Sequence, residues 1–209
     1  MSQFFLLHPG NPNHRLIRQA AEIVRSGGII VYPTDSSYAL GCHLDDKKAV
    51  TRIRQIRHLD EQHHMTLMCR DLSEISKYAK VDNVKFRLLK SNTPGNYTFI
   101  LDASKEVPRR LQHPKRSTIG VRIPDHPVAL ALLEELGEPI LSSTLILPDV
   151  DEPLNDPEFI RDLLEKQVDL VIGGGAIGLD FTTVIDLTGD APVLLRRGKG
   201  DVQHFGIED

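Results

Sequence analysis

A short β-branched segment between two glycines and a proline limits most strongly what this chain can fold into. Residues 29–32 form a continuous apolar run, and Gly27 and Gly28 leave no room for a helical turn before it. Such runs are typical of strands that are buried on both faces of a sheet. The segment therefore predicts a buried strand that ends at Pro33, because proline has no N–H with which to continue the ladder.

Helical patterns alternate with further strand-like runs along the chain. Helices are predicted over residues 16–24, 49–56, 72–78, 84–90, 126–136 and 158–166, with capping residues such as Asp46 and Asp82 in front of two of them. Further strands are predicted at residues 65–69, 97–101, 118–123, 139–141, 170–172, 182–186 and 192–196. This alternation predicts one α/β domain over residues 1–209, built on a twisted, open, mixed sheet with helices.

Composition excludes some classes of protein without naming a function. The formal net charge of -4 and the pI of about 6.1 argue against a uniformly basic coat for nucleic acid, although local basic patches remain compatible with them. Cys42 and Cys69 lie beside apolar runs, where thiols commonly pack as small hydrophobes, so we expect a reducing compartment. No apolar run approaches the roughly 20 residues that span a bilayer. We therefore expect a cytoplasmic protein.

Three histidines, His58, His63 and His64, lie in a polar segment without periodicity between residues 58 and 64. No cysteine or carboxylate accompanies them at the spacing of a structural zinc site, and such clusters are often solvated. We predict no metal site there. A basic run from Arg109 to Arg116 admits two interpretations, an anion-binding surface or, more commonly, a solvated loop.

Hydroxyl and guanidinium groups gather at the predicted ends of strands. They are Thr34 beside Asp35, then Thr98, Arg122, Ser142 to Thr144, Thr183 and Arg196. Such groups suit a small hydroxylated or zwitterionic ligand beside phosphates. The alternative is a set of polar turns that bond their own backbone. No serine or cysteine stands in a nucleophile motif, so we predict positioning and charge stabilisation with no covalent catalytic residue.

Five separated blocks of sequence occur in an order that resembles the YrdC-like family, most closely its YciO branch. They are Tyr32-Pro33-Thr34-Asp35-Ser36-Ser37-Tyr38-Ala39-Leu40-Gly41-Cys42, Pro94-Gly95-Asn96-Tyr97-Thr98-Phe99-Ile100-Leu101, Thr118-Ile119-Gly120-Val121-Arg122-Ile123-Pro124, Ser142-Ser143-Thr144 and Thr183-Val184-Ile185-Asp186. The resemblance runs from about the first helix to Gly198. It implies a twisted sheet with a concave basic surface.

The resemblance also implies an activity and its partners. The best-known reaction of the family joins L-threonine, bicarbonate and ATP into threonylcarbamoyl-adenylate and releases pyrophosphate, for modification of tRNA. ATP is then a substrate, and Mg²⁺ is expected with it. Some members bind double-stranded RNA. No membrane partner is expected, because no apolar run is long enough to span a bilayer, and the oligomeric state stays open.

Residue roles follow from the same resemblance, position by position. Substrate contacts are expected from Thr34, Tyr38, Thr98, Arg122, Ser142 and Thr183, and nucleotide contacts from Arg57, His63, Thr144 and Arg196. Arg57 stands where the family usually has the lysine of a Lys-x-Arg pair. Leu59 and Ile146 stand at an arginine and an asparagine of the family pattern, so two polar ATP contacts are replaced by apolar groups.

Two functions of different classes are compatible with this pattern. The first is a threonylcarbamoyl-AMP synthase-like enzyme with weak or altered activity. The second is a non-catalytic module that binds tRNA or double-stranded RNA, which the apolar residues Leu59 and Ile146 favour. A third, a different carbamoyl or nucleotide transfer in the same cleft, stays open.

Overall fold

A single mixed sheet runs through the computed structural model, which describes residues 1–175 and 177–207. Within these residues ten strands are ordered β1-β8-β2-β3-β7-β4-β6-β5-β9-β10. They are β1 (Gln3–Leu6), β2 (Ile30–Pro33), β3 (Tyr38–His43), β4 (Thr66–Met68), β5 (Tyr97–Asp102), β6 (Thr118–Arg122), β7 (Ile140–Thr144), β8 (Leu170–Gly173), β9 (Thr183–Asp186) and β10 (Val193–Arg196). Parallel and antiparallel pairs both occur, so the predicted mixed α/β sheet is confirmed.

Helices form where side chains can satisfy their first free N–H groups. Asp46 accepts a hydrogen bond from Ala49 N at 2.9 Å, and Asp82 accepts one from Lys85 N at 2.8 Å. Gly137 ends another helix with φ of 70°, a left-handed conformation that glycine adopts without strain. The six α-helices of the described part are α1 (His14–Arg25), α2 (Lys47–Arg57), α3 (Leu72–Tyr78), α4 (Asn83–Asn92), α5 (Pro127–Leu136) and α6 (Pro157–Leu164). None of the helices in these ranges is long and apolar enough to cross a bilayer.

The two faces of the sheet are covered differently. One face packs Leu40, Phe99 and Ile185 into a large core together with buried residues of α2, α3 and α6. On the other face, α1 and α5 pack against residues of β8, β2 and β3 and against the ends of β7 and β4 at Ile140 and Met68. Parts of β7, β4, β6, β5 and β9 on this face line the cavity described below.

Two strands were not predicted from the sequence. Residues 38–43, which were assigned to no helix or strand, form β3, which pairs antiparallel with β2. Strand β1 was not predicted, and it pairs parallel with β8 at one edge. The hydroxyls of Ser142 and Thr144 lie inside β7 and not after it. These residues form strands because neighbouring strands supply the hydrogen bonds, which a local pattern does not reveal.

Candidate functional site

A cavity of about 340 Å³ opens on the same face of the sheet as α1 and α5. Eight residues predicted from the sequence line it, and they come from seven different strands, loops and helices: Thr34, Arg57, His63, Thr98, Arg122, Ser142, Thr144 and Arg196. The predicted convergence of these side chains on one hollow is therefore observed. Their functional roles stay predictions.

Two of the predicted residues do not line this cavity. The Tyr38 hydroxyl donates to Gly175 O at 2.7 Å and accepts from Gly174 N at 3.1 Å. The Thr183 hydroxyl donates to Gly200 O at 2.7 Å and accepts from Gly198 N at 3.1 Å. Successive side chains of a strand point to opposite faces, so Thr182 and Thr183 cannot both face the cavity. Thr182 lines the cavity at the place expected for Thr183, and the sequence analysis missed it.

The Thr34 hydroxyl lines the cavity but is occupied by its own turn. It donates to Ser37 O at 2.6 Å and accepts from the N–H groups of Ser36 and Ser37, both at 3.2 Å. A hydroxyl has one proton and two lone pairs, so little capacity is left for a ligand. Thr34 therefore shapes the turn between β2 and β3.

This turn holds Arg122 in place. The Nη1 group of Arg122 donates to Ser36 Oγ at 3.0 Å, and Nη2 donates to Asp35 Oδ1 at 2.6 Å. Asp125 N donates to the same carboxylate oxygen at 2.9 Å. Arg122 is only 5% exposed, and burial lowers its pKa whereas the adjacent Asp35 raises it. Arg122 is thus a buried guanidinium whose charge is balanced by Asp35.

Arg57 and Arg196 have neutral hydrogen-bond partners instead. Arg57, the last residue of α2, donates from Nη1 to Ser143 Oγ at 2.7 Å and to Thr144 O at 2.6 Å. Arg196 donates from Nη2 to Thr182 O at 3.0 Å and to Thr182 Oγ1 at 3.1 Å. Burial and the charge of Arg196 lower the pKa of Arg57, and burial and Arg122 lower that of Arg196. Like charges are therefore gathered in one cavity.

Ser142 is connected to a buried phenol. Its Oγ donates to Leu40 O at 2.9 Å and lies 2.8 Å from the Tyr32 hydroxyl. Because the Ser142 proton is donated to Leu40 O, the Tyr32 hydroxyl is the donor to Ser142 Oγ, and burial raises the pKa of this phenol. A Cβ added at Gly41 would lie 2.8 Å from the Tyr32 ring, so only glycine leaves room for this ring.

Two histidines complete the wall. Partial burial, Arg57 and Arg54 lower the pKa of His63 to about 4, so its ring is neutral at pH 7. His64 is stacked on His113 at 4.7 Å between ring centroids, and its Nε2 lies 2.9 Å from Thr118 Oγ1. Sequence reasoning missed His64 as a cavity residue, although its position beside His63 was a signal.

The charge of the lining is unbalanced. Among the described lining residues there are three arginines and no aspartate or glutamate, and the nearest carboxylate partner, Asp35, compensates only Arg122. Apolar side chains, including Ile100, Ile146 and Leu195, also line the cavity. A cavity of this kind suits a ligand that has both an anionic group and an apolar or aromatic part.

We expect Thr183→Val to lower the free energy of unfolding by about 1–3 kcal/mol, because the Gly200 carbonyl and the Gly198 N–H lose their partner. Thermal and urea unfolding measure this effect. Thr183→Ser is the matched control and should unfold close to the parent. An unchanged unfolding midpoint for Thr183→Val would contradict the structural role assigned to this hydroxyl.

The chain is similar in sequence and in fold to proteins of one family. A family model for Sua5, YciO and YrdC proteins, described as telomere recombination, matches residues 22–198. The YciO protein of Escherichia coli K12, described as uncharacterized, is 64% identical over 205 residues, which cover 98% of this chain and 100% of that protein. The crystal structure of E. coli YciO superposes with a TM-score of 0.95.

More distant relatives have a described activity. The threonylcarbamoyl-AMP synthase of Pyrococcus abyssi is 32% identical over 185 residues, which cover 87% of this chain and 54% of that protein. The crystal structure of P. abyssi Sua5 complexed with L-threonine has a TM-score of 0.86 at 28% identity, and the match covers 94% of this chain and 58% of that chain. The shared sheet and the family match over residues 22–198 agree with each other, and the chain belongs to the Sua5/YciO/YrdC family.

Proposed function

We propose that this protein is a threonylcarbamoyl-AMP synthase-like enzyme that forms threonylcarbamoyl-adenylate and pyrophosphate from L-threonine, bicarbonate and ATP, in the modification of tRNA. The convergence of Arg57, Arg122 and Arg196 in one cavity, with no carboxylate among its described lining residues, is the observation that carries the proposal. A relative of the same fold has been crystallised with L-threonine, which supports an amino acid as one ligand.

The reaction needs little from the protein beyond positioning and charge stabilisation. The amine of threonine and bicarbonate form a carbamate and water, and a carbamate oxygen then attacks the α-phosphorus of ATP. The bond from this phosphorus to the bridging oxygen breaks, and pyrophosphate leaves with the electron pair. Within the described residues Arg57 and Arg196 donate to neutral groups and not to a carboxylate, so they are suited to stabilise the charge that develops on pyrophosphate.

The lining residues do not fit a magnesium ion held by the protein. Mg²⁺ prefers carboxylate and water oxygens, and no aspartate or glutamate is found among the described residues of the cavity wall. Any Mg²⁺ would therefore be bound by the phosphates of ATP and would enter the cavity with the nucleotide. No step of the proposed reaction depends on a metal bound by side chains.

Release of pyrophosphate tests the proposed function directly. The purified chain is incubated with ATP, L-threonine and bicarbonate, and pyrophosphate is followed with coupled detection while each substrate is omitted in turn. We expect release only when all three are present, together with an adenylate visible by mass spectrometry. Release that is independent of threonine would exclude this activity and favour another transfer in the same cavity.

One observation favours a second candidate, a non-catalytic module that binds tRNA or double-stranded RNA. Ile146 lines the cavity and Leu59 packs against the large core, so neither offers the polar group that the family pattern has at its position. Binding of double-stranded RNA that weakens steeply with salt, together with no ATP binding in calorimetry, would support this candidate. Flat salt dependence would contradict it.

We expect Ile146→Asn to strengthen ATP binding about tenfold, because an apolar side chain on the cavity wall is replaced by an amide that can bond the nucleotide. Isothermal titration calorimetry with ATP measures the change, and Ile146→Val is the control that alters the size of the side chain without adding a polar group. Equal affinities for the three proteins would mean that Ile146 does not face the nucleotide.

A further inference from the structure

Two histidines form a stacked pair where the cavity wall meets the turn before β6. His64 lines the cavity, whereas His113 lies outside its lining, and the two ring centroids are 4.7 Å apart with 28° between the ring planes. His64 Nε2 lies 2.9 Å from the buried hydroxyl of Thr118, and His113 N donates to Thr118 O at 2.8 Å. Thr118, the first residue of β6, therefore holds both histidines at one place on the wall.

The stack depends on uncharged rings. Lys115 N donates to His113 Nδ1 at 3.3 Å, so this nitrogen carries no proton and the neutral ring keeps its proton on Nε2. Two neutral imidazoles attract each other as aromatic rings do, whereas two imidazolium ions at the same separation repel each other. A proton on His113 Nδ1 also takes away the acceptor of Lys115 N. Protonation of both rings therefore removes the stack and one hydrogen bond of the turn.

The charged groups around His64 do not favour an imidazolium. Burial lowers the pKa of His64, and the stacked ring and Arg116 lower it further, whereas Asp186 raises it. The Asp186 carboxylate is already used, because it accepts from Arg116 Nη1 at 3.4 Å and from Thr188 N and Oγ1 at 2.8 and 2.6 Å. His63, which precedes His64 on the wall, is neutral at pH 7 because its pKa is about 4. His64 is thus neutral at pH 7 and gains a proton only in acid.

We propose that the stack of His64 and His113 is a proton-sensitive contact that sets the charge of the cavity wall. When both rings are neutral, the stack fixes His64 against Thr118 and adds no charge to the lining. When they are protonated, the rings repel each other, and His64 adds a fourth cation to the three arginines of the described lining. An anion in the cavity must then favour the protonated pair, and by linkage acid must strengthen the binding of that anion. That an anion binds there rests on the proposed function, whereas the proton-sensitive contact rests on the observed geometry.

Unfolding at two pH values tests the contact itself. Because the pKa of His64 is lower in the folded chain than its ordinary value of 6.5, the stability that the neutral ring contributes is present above that pH and is lost as the pH falls. Between about pH 7.5 and about pH 5 we expect the thermal midpoint of the parent to fall by about 2–4 °C more than that of His113→Phe. Phenylalanine keeps a ring for stacking but takes up no proton. His14→Phe, at the exposed first residue of α1, is the matched control and should keep the pH dependence of the parent.

Sulfate binding tests the coupling to the cavity, because sulfate keeps its charge over this pH range. By calorimetry at constant ionic strength we expect the parent to bind sulfate about tenfold more tightly in acid, with uptake of a proton, and His64→Phe to lose this increase.

A parent and a His113→Phe protein with the same pH dependence of unfolding, or sulfate binding by the parent that does not respond to pH, would overturn the inference. Where His113→Phe does not fold at neutral pH, His113→Gln, which also takes up no proton, carries the comparison. The expected unfolding pattern without sulfate binding at either pH would support the contact and count only against the proposed function.

Discussion

Asp35→Asn is expected to lower the free energy of unfolding by about 3 kcal/mol, because it leaves a buried guanidinium without its counter-charge. The side chains of Arg122 and Asp35 are 6% and 11% exposed, and the two groups are 2.6 Å apart. Removing one partner of such a pair is costly, since the other charge stays out of water. Urea unfolding followed by circular dichroism measures this loss.

The same change should strengthen the binding of anions. With Asp35 neutralised, the positive charge of Arg122 is no longer compensated, and we expect pyrophosphate to bind about tenfold more tightly. Pyrophosphate should therefore recover part of the lost stability, in proportion to its concentration.

Asp125→Asn provides the control for this pair of effects. It alters the net charge equally beside the same turn, but only the backbone of Asp125 contacts Asp35, and its side chain is exposed. We expect its stability and anion affinity to stay near those of the parent. A stable Asp35→Asn protein with unchanged affinity would show that the pair is not the element that compensates Arg122.

Arg57→Ala is expected to reduce kcat/KM for pyrophosphate release by about a hundredfold or more. Arg57 is one of the two cavity arginines with neutral partners, and removing one preorganised donor from a reaction centre typically has an effect of this size. The rate of pyrophosphate release with all three substrates, measured over a range of ATP concentrations, gives the change in kcat and in KM separately.

Two further variants make this result specific. Arg57→Lys keeps the charge and restores the residue type usual in the family, so we expect it to retain most of the activity. Arg87→Ala removes the same charge from the exposed surface of α4, away from the cavity, and should have little effect. Equal rates for the parent and Arg57→Ala would exclude the role proposed for Arg57.

Local physics made a large part of the fold predictable. The β-branched run before Pro33 forms β2, and the caps Asp46 and Asp82 begin α2 and α4 as expected. Strand β3 was not recognised, because the glycine and the hydroxyls around Tyr38 weaken the strand pattern and its stability comes from pairing with β2 and β7. Thr183 was assigned to the cavity in place of Thr182, because a motif locates a strand more reliably than it locates which face each residue occupies.

By itself, the sequence determined the six helices, the strands other than β1 and β3, and which polar groups are available, since capping, β-branching and turn chemistry act over a few residues. Only the tertiary structure decided which of these groups share the cavity and which hydrogen bonds use up their protons. Arg122 meets Asp35 across 87 positions, and Ser142 meets Tyr32 across 110. The physical reason is the order of the strands, which brings distant residues side by side on one face of the sheet and thereby sets the charge and hydrogen-bonding capacity of each group.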